Sequence, residues 1–299
     1  MNILKLSSGE LRLGVVPQLG GALAWLQHGG FDLLRPWDRT PSVRRTACFP
    51  LVPYSNRIAH GRFSHEGATW QLPRNFGEHP HPLHGVGWQR EWQVLEQDAR
   101  ACTLVLAHEP RGQGGEHWPF AFQARQQLSL DDDGLSLSLQ LRNAGTGAMP
   151  AGLGWHPYFS RHQGVEVQFQ AARVWLNGDD ALPSLCTDVP AHWAFDRRRP
   201  MGPVGLDNCF EGWRQPAQVY WPHARLGLEL HAEPGLDYLV VFTPPAPQDF
   251  IAVEPVSHLN NAINSASPAA NGIVWLAPGQ SMERRLRLNL LRGALGAST

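Results

Sequence analysis

The sequence predicts an all-β protein, a large antiparallel β-sandwich with long loops. Three observations lead there. Apolar and polar residues alternate with a period of two along many short stretches, which is the pattern of a strand with one buried face. No long stretch shows a helical period with caps at its ends. Glycine and proline, 30 and 25 of them among 299 residues, punctuate the chain throughout and keep the candidate strands short.

Taken in order, the strand candidates begin with LRLGVV from Leu11 and ALAWLQ from Ala22. EWQVLEQ from Glu91, CTLVLAHE from Cys102 and FQARQQLSL from Phe122 follow. Asp131-Asp132-Asp133-Gly134 supplies a hairpin turn, since short polar residues and glycine suit tight reversals. In the next segment Leu135, Leu137, Leu139 and Leu141 face one way, and Ser136, Ser138, Gln140 and Arg142 the other. Residues 143–148 read as a loop, because strand signals continue on both sides of them. Leu226, Leu228 and Leu230 repeat the alternation, DYLVVFT follows from Asp237, and Leu286, Leu288 and Leu290 repeat it near the C-terminus. No repeat or low-complexity tract divides the chain, so residues 1–299 are expected to form a single domain.

Composition narrows the function. The 25 Lys and Arg against 26 Asp and Glu give a net charge of −1. There is no basic excess to neutralise a nucleic-acid backbone or to hold the chain on an anionic membrane. Cys48, Cys102, Cys186 and Cys209 are scattered without a CxxC pair, which suggests neither a zinc site nor a disulfide framework. The N-terminal MNILKLSSGELRL is too polar for a signal peptide, and no apolar run approaches the roughly 20 residues that span a bilayer. The cytoplasm is the expected compartment. Most of the 12 tryptophans should be core residues. A few of these flat apolar rings are suited to the C–H faces of a sugar.

Five segments place charged or imidazole groups among Gly, Pro and aromatic residues. In Asn56-Arg57-Ile58-Ala59-His60-Gly61-Arg62-Phe63, Arg57 can point its forked donors at oxygen ligands, or satisfy loop carbonyls. In His79-Pro80-His81-Pro82-Leu83-His84-Gly85-Val86-Gly87-Trp88, three histidines invite a metal reading. Gly85 and Val86 stand where an HxH-type site would place its glutamate, and the spacing fits no standard zinc helix. No metal is expected; His84 is the functional candidate, with His79 and His81 as exposed loop residues. In Gly154-Trp155-His156-Pro157-Tyr158-Phe159, apolar neighbours would fix and desolvate an imidazole suited to proton donation, or simply bury a core histidine. In Leu206-Asp207-Asn208-Cys209-Phe210, Asp207 can accept bonds from hydroxyls or close an Asx turn. In Phe250-Ile251-Ala252-Val253-Glu254-Pro255, a carboxylate follows a buried apolar run that Pro255 should end. That placement is costly unless the charge is paired or used. Together these residues offer acid, base and oxygen ligands, without a nucleophile motif or a phosphate-cradling loop. They suit proton transfers on a polyhydroxylated ligand.

The same five segments, in this order, resemble the aldose 1-epimerase (mutarotase) family. Asn56 to Phe63 is similar to its sugar-binding arginine motif, and Leu83-His84-Gly85 with Trp88 to its first histidine motif. His156-Pro157-Tyr158-Phe159 is similar to the signature around its general acid. Asp207 with Phe210 fits its aspartate segment, and Glu254-Pro255 its general base. The Gly20-Gly21 turn and Leu276-Ala277-Pro278-Gly279 extend the resemblance over nearly the whole chain.

The resemblance implies a β-sandwich of the galactose mutarotase-like type and cofactor-free interconversion of the α and β anomers of a free aldose. By position, Glu254 would be the base, His156 the acid, and His84 a helper at the ring oxygen or a neighbouring hydroxyl. Arg57, Asp207, Asn56 and Trp88 would bind the sugar. The charge states expected at the start are an ionised Glu254 and a protonated His156. The expected partner is a small-molecule sugar, with no nucleic acid or membrane, and the assembly a monomer or homodimer. Two alternatives stay open. One is an epimerase of hexose 6-phosphates, with Arg44, Arg45, Arg62 or Arg90 as phosphate ligands. The other is a carbohydrate-binding or sensor domain that keeps the pocket without turnover.

Overall fold

The computed structural model describes residues 1–161, 164–202 and 205–293. Its regular structure is almost wholly antiparallel strand, and the helical residues among those described lie in three-residue 3-10 turns. Two large sheets account for most of the strands. One has 12 strands; its main path runs Leu4–Ser8, Leu11–Val16, Ala22–His28, Phe31–Leu34, Tyr158–Ser160, Phe250–Val256, Tyr238–Phe242, Asp207–Glu211, Arg173–Asn177 and Pro183–Asp188. The other has nine, in the order Arg199–Pro200, Glu166–Gln170, Arg214–Trp221, Leu226–Ala232, Ser281–Arg292, Gly134–Asn143, Phe122–Asp131, Ala101–His108 and Gln93–Gln97.

The period-two reading explains the second sheet directly. Leu135, Leu137, Leu139 and Leu141 are all buried, while Gln140 and Arg142 are exposed. Each buried leucine contributes about 1.5–3 kcal/mol relative to exposure. These side chains join Leu6, Leu13 and Leu26 of the first sheet in one contiguous core. The DDDG turn closes the hairpin in register, with Asp131 opposite Gly134.

The first sheet was less visible in the sequence, and one expectation about it fails. Pro255 does not end its strand; Phe250–Val256 runs through it, with Pro255 opposite Leu239. Proline lacks a backbone donor and is tolerated where the ladder is interrupted. Here the strand's other neighbour is broken: Gly154–Trp155 pairs at Val256, Tyr158–Ser160 pairs at Ala252, and no strand residue lies between.

All four cysteines are free thiols, three of them buried. No helix among the described residues is long and apolar enough to cross a membrane.

Candidate active site

That break in the ladder builds the site. The flanking pairs Gly154–Val256 and Tyr158–Ala252 set His156 opposite Glu254 in register. Side chains of directly opposed residues on one face of a sheet lie close together. His156 Nε2 is accordingly 3.2 Å from Glu254 Oε1, and both side chains are at least nine-tenths buried. Register carries the row onward from Glu254 to Val240 and Cys209. The next row on the same face runs Tyr158, Ala252, Phe242, Asp207. Three neighbouring strands and the break beside them thus place an imidazole and two carboxyl groups on one sheet face.

Two loops close the site from above. Leu83 and Arg57 form an isolated antiparallel bridge. His84 N–H donates to the Asn56 carbonyl at 2.8 Å, and Asn56 N–H donates to His84 Nδ1 at 3.1 Å. Nδ1 is therefore an acceptor, and Nε2 carries the proton of the neutral ring. Gly85 makes the approach feasible: its φ is +69°, and a Cβ there would lie 2.4 Å from the Val52 carbonyl oxygen. Arg57 donates to Asp207 at 2.7 Å and to Asn56 Oδ1 at 3.3 Å. Asp207 keeps 38% of its side chain exposed, so this ion pair fixes geometry more than it stabilises the fold.

Arg57, Asn56, His84, Trp88, His156, Asp207 and Glu254 all line one cleft of about 400 Å³, within the range for small-molecule sites. Trp88 contributes its ring rather than its donor, because its indole N–H is bonded to the carbonyls of Leu83 and Gly85, both at 3.1 Å. The sequence reading missed Phe49, which stacks on the His156 ring at 4.8 Å and 22°. It also missed Arg35, Phe242, Gln248 and Phe250, which line the same cleft. Nothing local marks them; strand register brings in Phe242 and Phe250, and the segments beside the strands bring in Phe49, Arg35 and Gln248.

Burial governs the electrostatics. Desolvation pushes Glu254 well above its ordinary carboxyl range, and Asp207 adds to the rise while Arg57 opposes it. Desolvation also holds His156 well below the usual imidazole value, aided by His84 and Arg35. Both shifts favour the uncharged forms. Burial thus opposes the expected ionised Glu254 and protonated His156, while their mutual attraction across 3.2 Å supports that state. Burial lowers His84 to about 3, with Arg57 and Arg44 contributing.

Several other expectations change. His81 is fully buried rather than exposed. Its Nδ1 accepts the His60 N–H at 3.0 Å and its Nε2 meets the Asp180 carbonyl at 3.0 Å, which ties two loops together. Among the described residues, no group of three or more His, Cys, Asp and Glu side chains could hold a metal ion. Of the four arginines considered for an anionic substrate, Arg44 and Arg45 line the cleft. Arg90 is not among the cleft's residues and donates to Gly114 O at 2.6 Å. Arg62 is exposed and lies away from the cleft.

A two-sheet sandwich with a buried imidazole–carboxyl pair in a polar cleft defines a β-sandwich protein equipped for proton transfer. Residues 2–289 match the aldose 1-epimerase family profile, and the chain belongs to that family of isomerase-type enzymes. It is 31% identical over 297 residues to the uncharacterized protein YphB of Escherichia coli (strain K12), covering 97% of this chain and 99% of that one. Its similarity to the aldose 1-epimerase of the same organism is more partial, 29% over 133 residues, covering 44% of this chain and 36% of the enzyme. Among solved structures, a galactose mutarotase-like protein from Clostridium acetobutylicum superposes with a TM-score of 0.85 over 97% of this chain and 95% of that one, at 16% identity. An aldose 1-epimerase-type structure from Escherichia coli K12 gives a TM-score of 0.89 at 29% identity, covering 97% and 99% of the two chains.

Proposed function

We propose that the protein is a cofactor-independent aldose 1-epimerase that interconverts the α and β anomers of a free aldose such as galactose or glucose. The observation that carries this reading is the buried His156–Glu254 contact of 3.2 Å within the cleft. Binding alone needs no acid–base pair.

Ring opening removes the proton from the C1 hydroxyl and adds one to the ring oxygen. These two oxygens share one carbon, so the acid and the base must be neighbours, as His156 and Glu254 are. Glu254 takes the C1 hydroxyl proton while His156 protonates the ring oxygen. The product state holds a protonated carboxyl and a neutral imidazole, which is the state that burial favours. The C1–C2 bond then turns about half a revolution. Closure runs the transfers in reverse, and the pair returns to its starting charges. Each transfer contributes roughly 10²–10⁴-fold. His84, neutral and bearing its proton on Nε2, donates to the ring oxygen or a neighbouring hydroxyl. Arg57, Asp207 and Asn56 orient the hydroxyls, and Trp88 and Phe49 supply apolar walls.

Polarimetry on freshly dissolved α-galactose and α-glucose tests this reading. Equilibration must be faster with the protein than without it. Sugar binding without faster equilibration would instead assign the cleft to a sensor or binding domain.

One observation favours a second reading, an epimerase for a hexose with an anionic C6 substituent such as a phosphate. Arg44 lines the cleft with its guanidinium 4.2 Å above the Phe76 ring. Arg35, held between Tyr158 and Phe250 at 4.0 and 4.5 Å, and Arg45 line it too. Comparing free with phosphorylated hexoses as substrates and competitors distinguishes the two readings.

A further inference from the structure

His258 has no part in the chemistry above, yet it sits between the strand that carries Glu254 and the loop that carries Arg57. It lies two residues beyond Phe250–Val256 and is 2% exposed. Both ring nitrogens are engaged. Nδ1 is 2.8 Å from the Leu259 carbonyl, to which it donates. Nε2 accepts the Ser55 N–H at 3.0 Å. The ring does not line the 400 Å³ cleft, so it does not touch a sugar there.

The surroundings are fitted to this ring. A Cβ on Gly152 would lie 2.0 Å from His258 Cδ2, so only glycine leaves the ring its place. Ser257, next to His258, donates its N–H to the Leu153 carbonyl at 2.8 Å and accepts the Leu153 N–H through Oγ at 2.9 Å. Residues 53–59 are fastened to residues 258–261 at further points. Asn261 N–H donates to the Arg57 carbonyl at 3.0 Å, and Ala59 N–H donates to Asn261 Oδ1 at 3.0 Å. Asn56, between Ser55 and Arg57, has a φ of +55°, a conformation that surrounding contacts must hold in place. Burial lowers the His258 imidazole to about 4, so the ring stays neutral near neutrality and Nε2 remains an acceptor.

We propose that His258 is a positioning residue: its Nε2 fixes the Ser55 backbone so that Asn56 and Arg57 meet the sugar in register with Glu254. This rests on the sugar-orienting role given to Arg57 above.

Two substitutions separate the ring's two bonds. In H258N the side-chain amide reaches the Leu259 carbonyl, as Nδ1 does, but falls short of Ser55. In H258Q the longer amide places an acceptor at Ser55, as Nε2 does. H258N is expected to raise KM about tenfold with a smaller change in kcat, and H258Q to restore most of the loss. In an R57K background the H258N effect should shrink to less than threefold, because the two residues act through one contact. Backbone amide exchange at residues 54–58, measured without ligand, should accelerate in H258N and return toward the wild-type rate in H258Q. Additive effects with R57K, equal losses in both variants, or unchanged amide exchange would overturn the proposal, as would failure of both variants to fold, which would make the ring purely structural. If wild-type protein does not accelerate mutarotation, the proposed function fails by itself. The exchange measurement and sugar affinity by calorimetry then still decide the role of His258.

Discussion

At the scale of single residues, the pair His156–Glu254 is held by register rather than by polar neighbours. A buried carboxyl raised by desolvation and an imidazole lowered by the same cause exchange one proton without changing the net charge of the site. The E254Q variant keeps the shape and the hydrogen bonding but cannot take a proton. Its kcat should fall by roughly 10²–10⁴-fold while sugar affinity changes little, measured by polarimetry and calorimetry on the same sample. Full activity in E254Q would remove Glu254 as the base. The pH dependence follows from the same pair. Activity needs a single proton shared between the two groups, so it is lost in acid when both are protonated and in alkali when neither is. His156 is lowered, which moves the acid limb below the ordinary 6.5 of an imidazole. Glu254 is raised, which moves the alkaline limb above the ordinary 4.5 of a carboxyl. The profile of kcat/KM should therefore be bell-shaped, and broader than the ordinary values of the two groups would give. Arg57 contributes orientation, so R57K should raise KM about tenfold or more and lower kcat less. That magnitude is expected from losing a charged hydrogen bond of about 1.5–3 kcal/mol.

At the scale of elements, legibility divides along the two sheets. Strands with one wet face were readable, because Leu135 to Leu141 alternate visibly with polar partners. Strands buried on both faces showed only as apolar runs, as Tyr238–Phe242 did. Phe250–Val256 is buried at every position and shows no period to set its bounds, so the sequence misplaces its end at Pro255. Tyr158–Ser160 and Asp207–Glu211 are too short or too mixed to announce themselves. The site residues were legible as unusual chemistry in apolar or Gly/Pro settings, and gained weight from their order along the chain. Their geometry was not, because cross-strand register is a long-range property: no local spacing sets residue 156 opposite 254. The cleft's hydrophobic walls, Phe49, Phe242 and Phe250, are indistinguishable in sequence from core. Loops obey local rules better, and Gly85 is the clearest case. G85A forces a Cβ into the left-handed region and against the Val52 carbonyl at 2.4 Å. The conformational cost alone is about 1–2 kcal/mol, before the clash. The expected outcome is a lowered Tm together with a raised KM, since the same turn places His84 and Trp88. An unchanged KM in a folded G85A protein would show that the turn does not set the cleft.

At the scale of the whole molecule, buried histidines set how stability depends on pH. Burial lowers His258 to about 4 and His84 to about 3, and it lowers His156, His81 and His108 as well. Each of these groups binds a proton more weakly in the folded chain than in the unfolded one, whose ordinary value is 6.5. The stability they supply is therefore present above 6.5 and is lost as the pH falls through the folded values. Asp38, Asp98 and Asp131 are lowered too, and their contribution is lost in the same direction at still lower pH. Glu254 has the opposite sign: its contribution is present at low pH and is lost as the pH rises through its raised folded value. One raised carboxyl against several lowered histidines leaves a net loss of stability on acidification between about 6.5 and 4. Each fully neutral histidine accounts for a slope of up to about 1.4 kcal/mol per pH unit. Urea midpoints measured at half-unit steps should therefore fall steeply below 6.5. H258Q, which removes one of these groups but keeps the Ser55 acceptor, should flatten that slope by about one histidine's share. A slope unchanged by H258Q would mean that His258 titrates alike in the folded and unfolded chains, against the burial that holds it neutral.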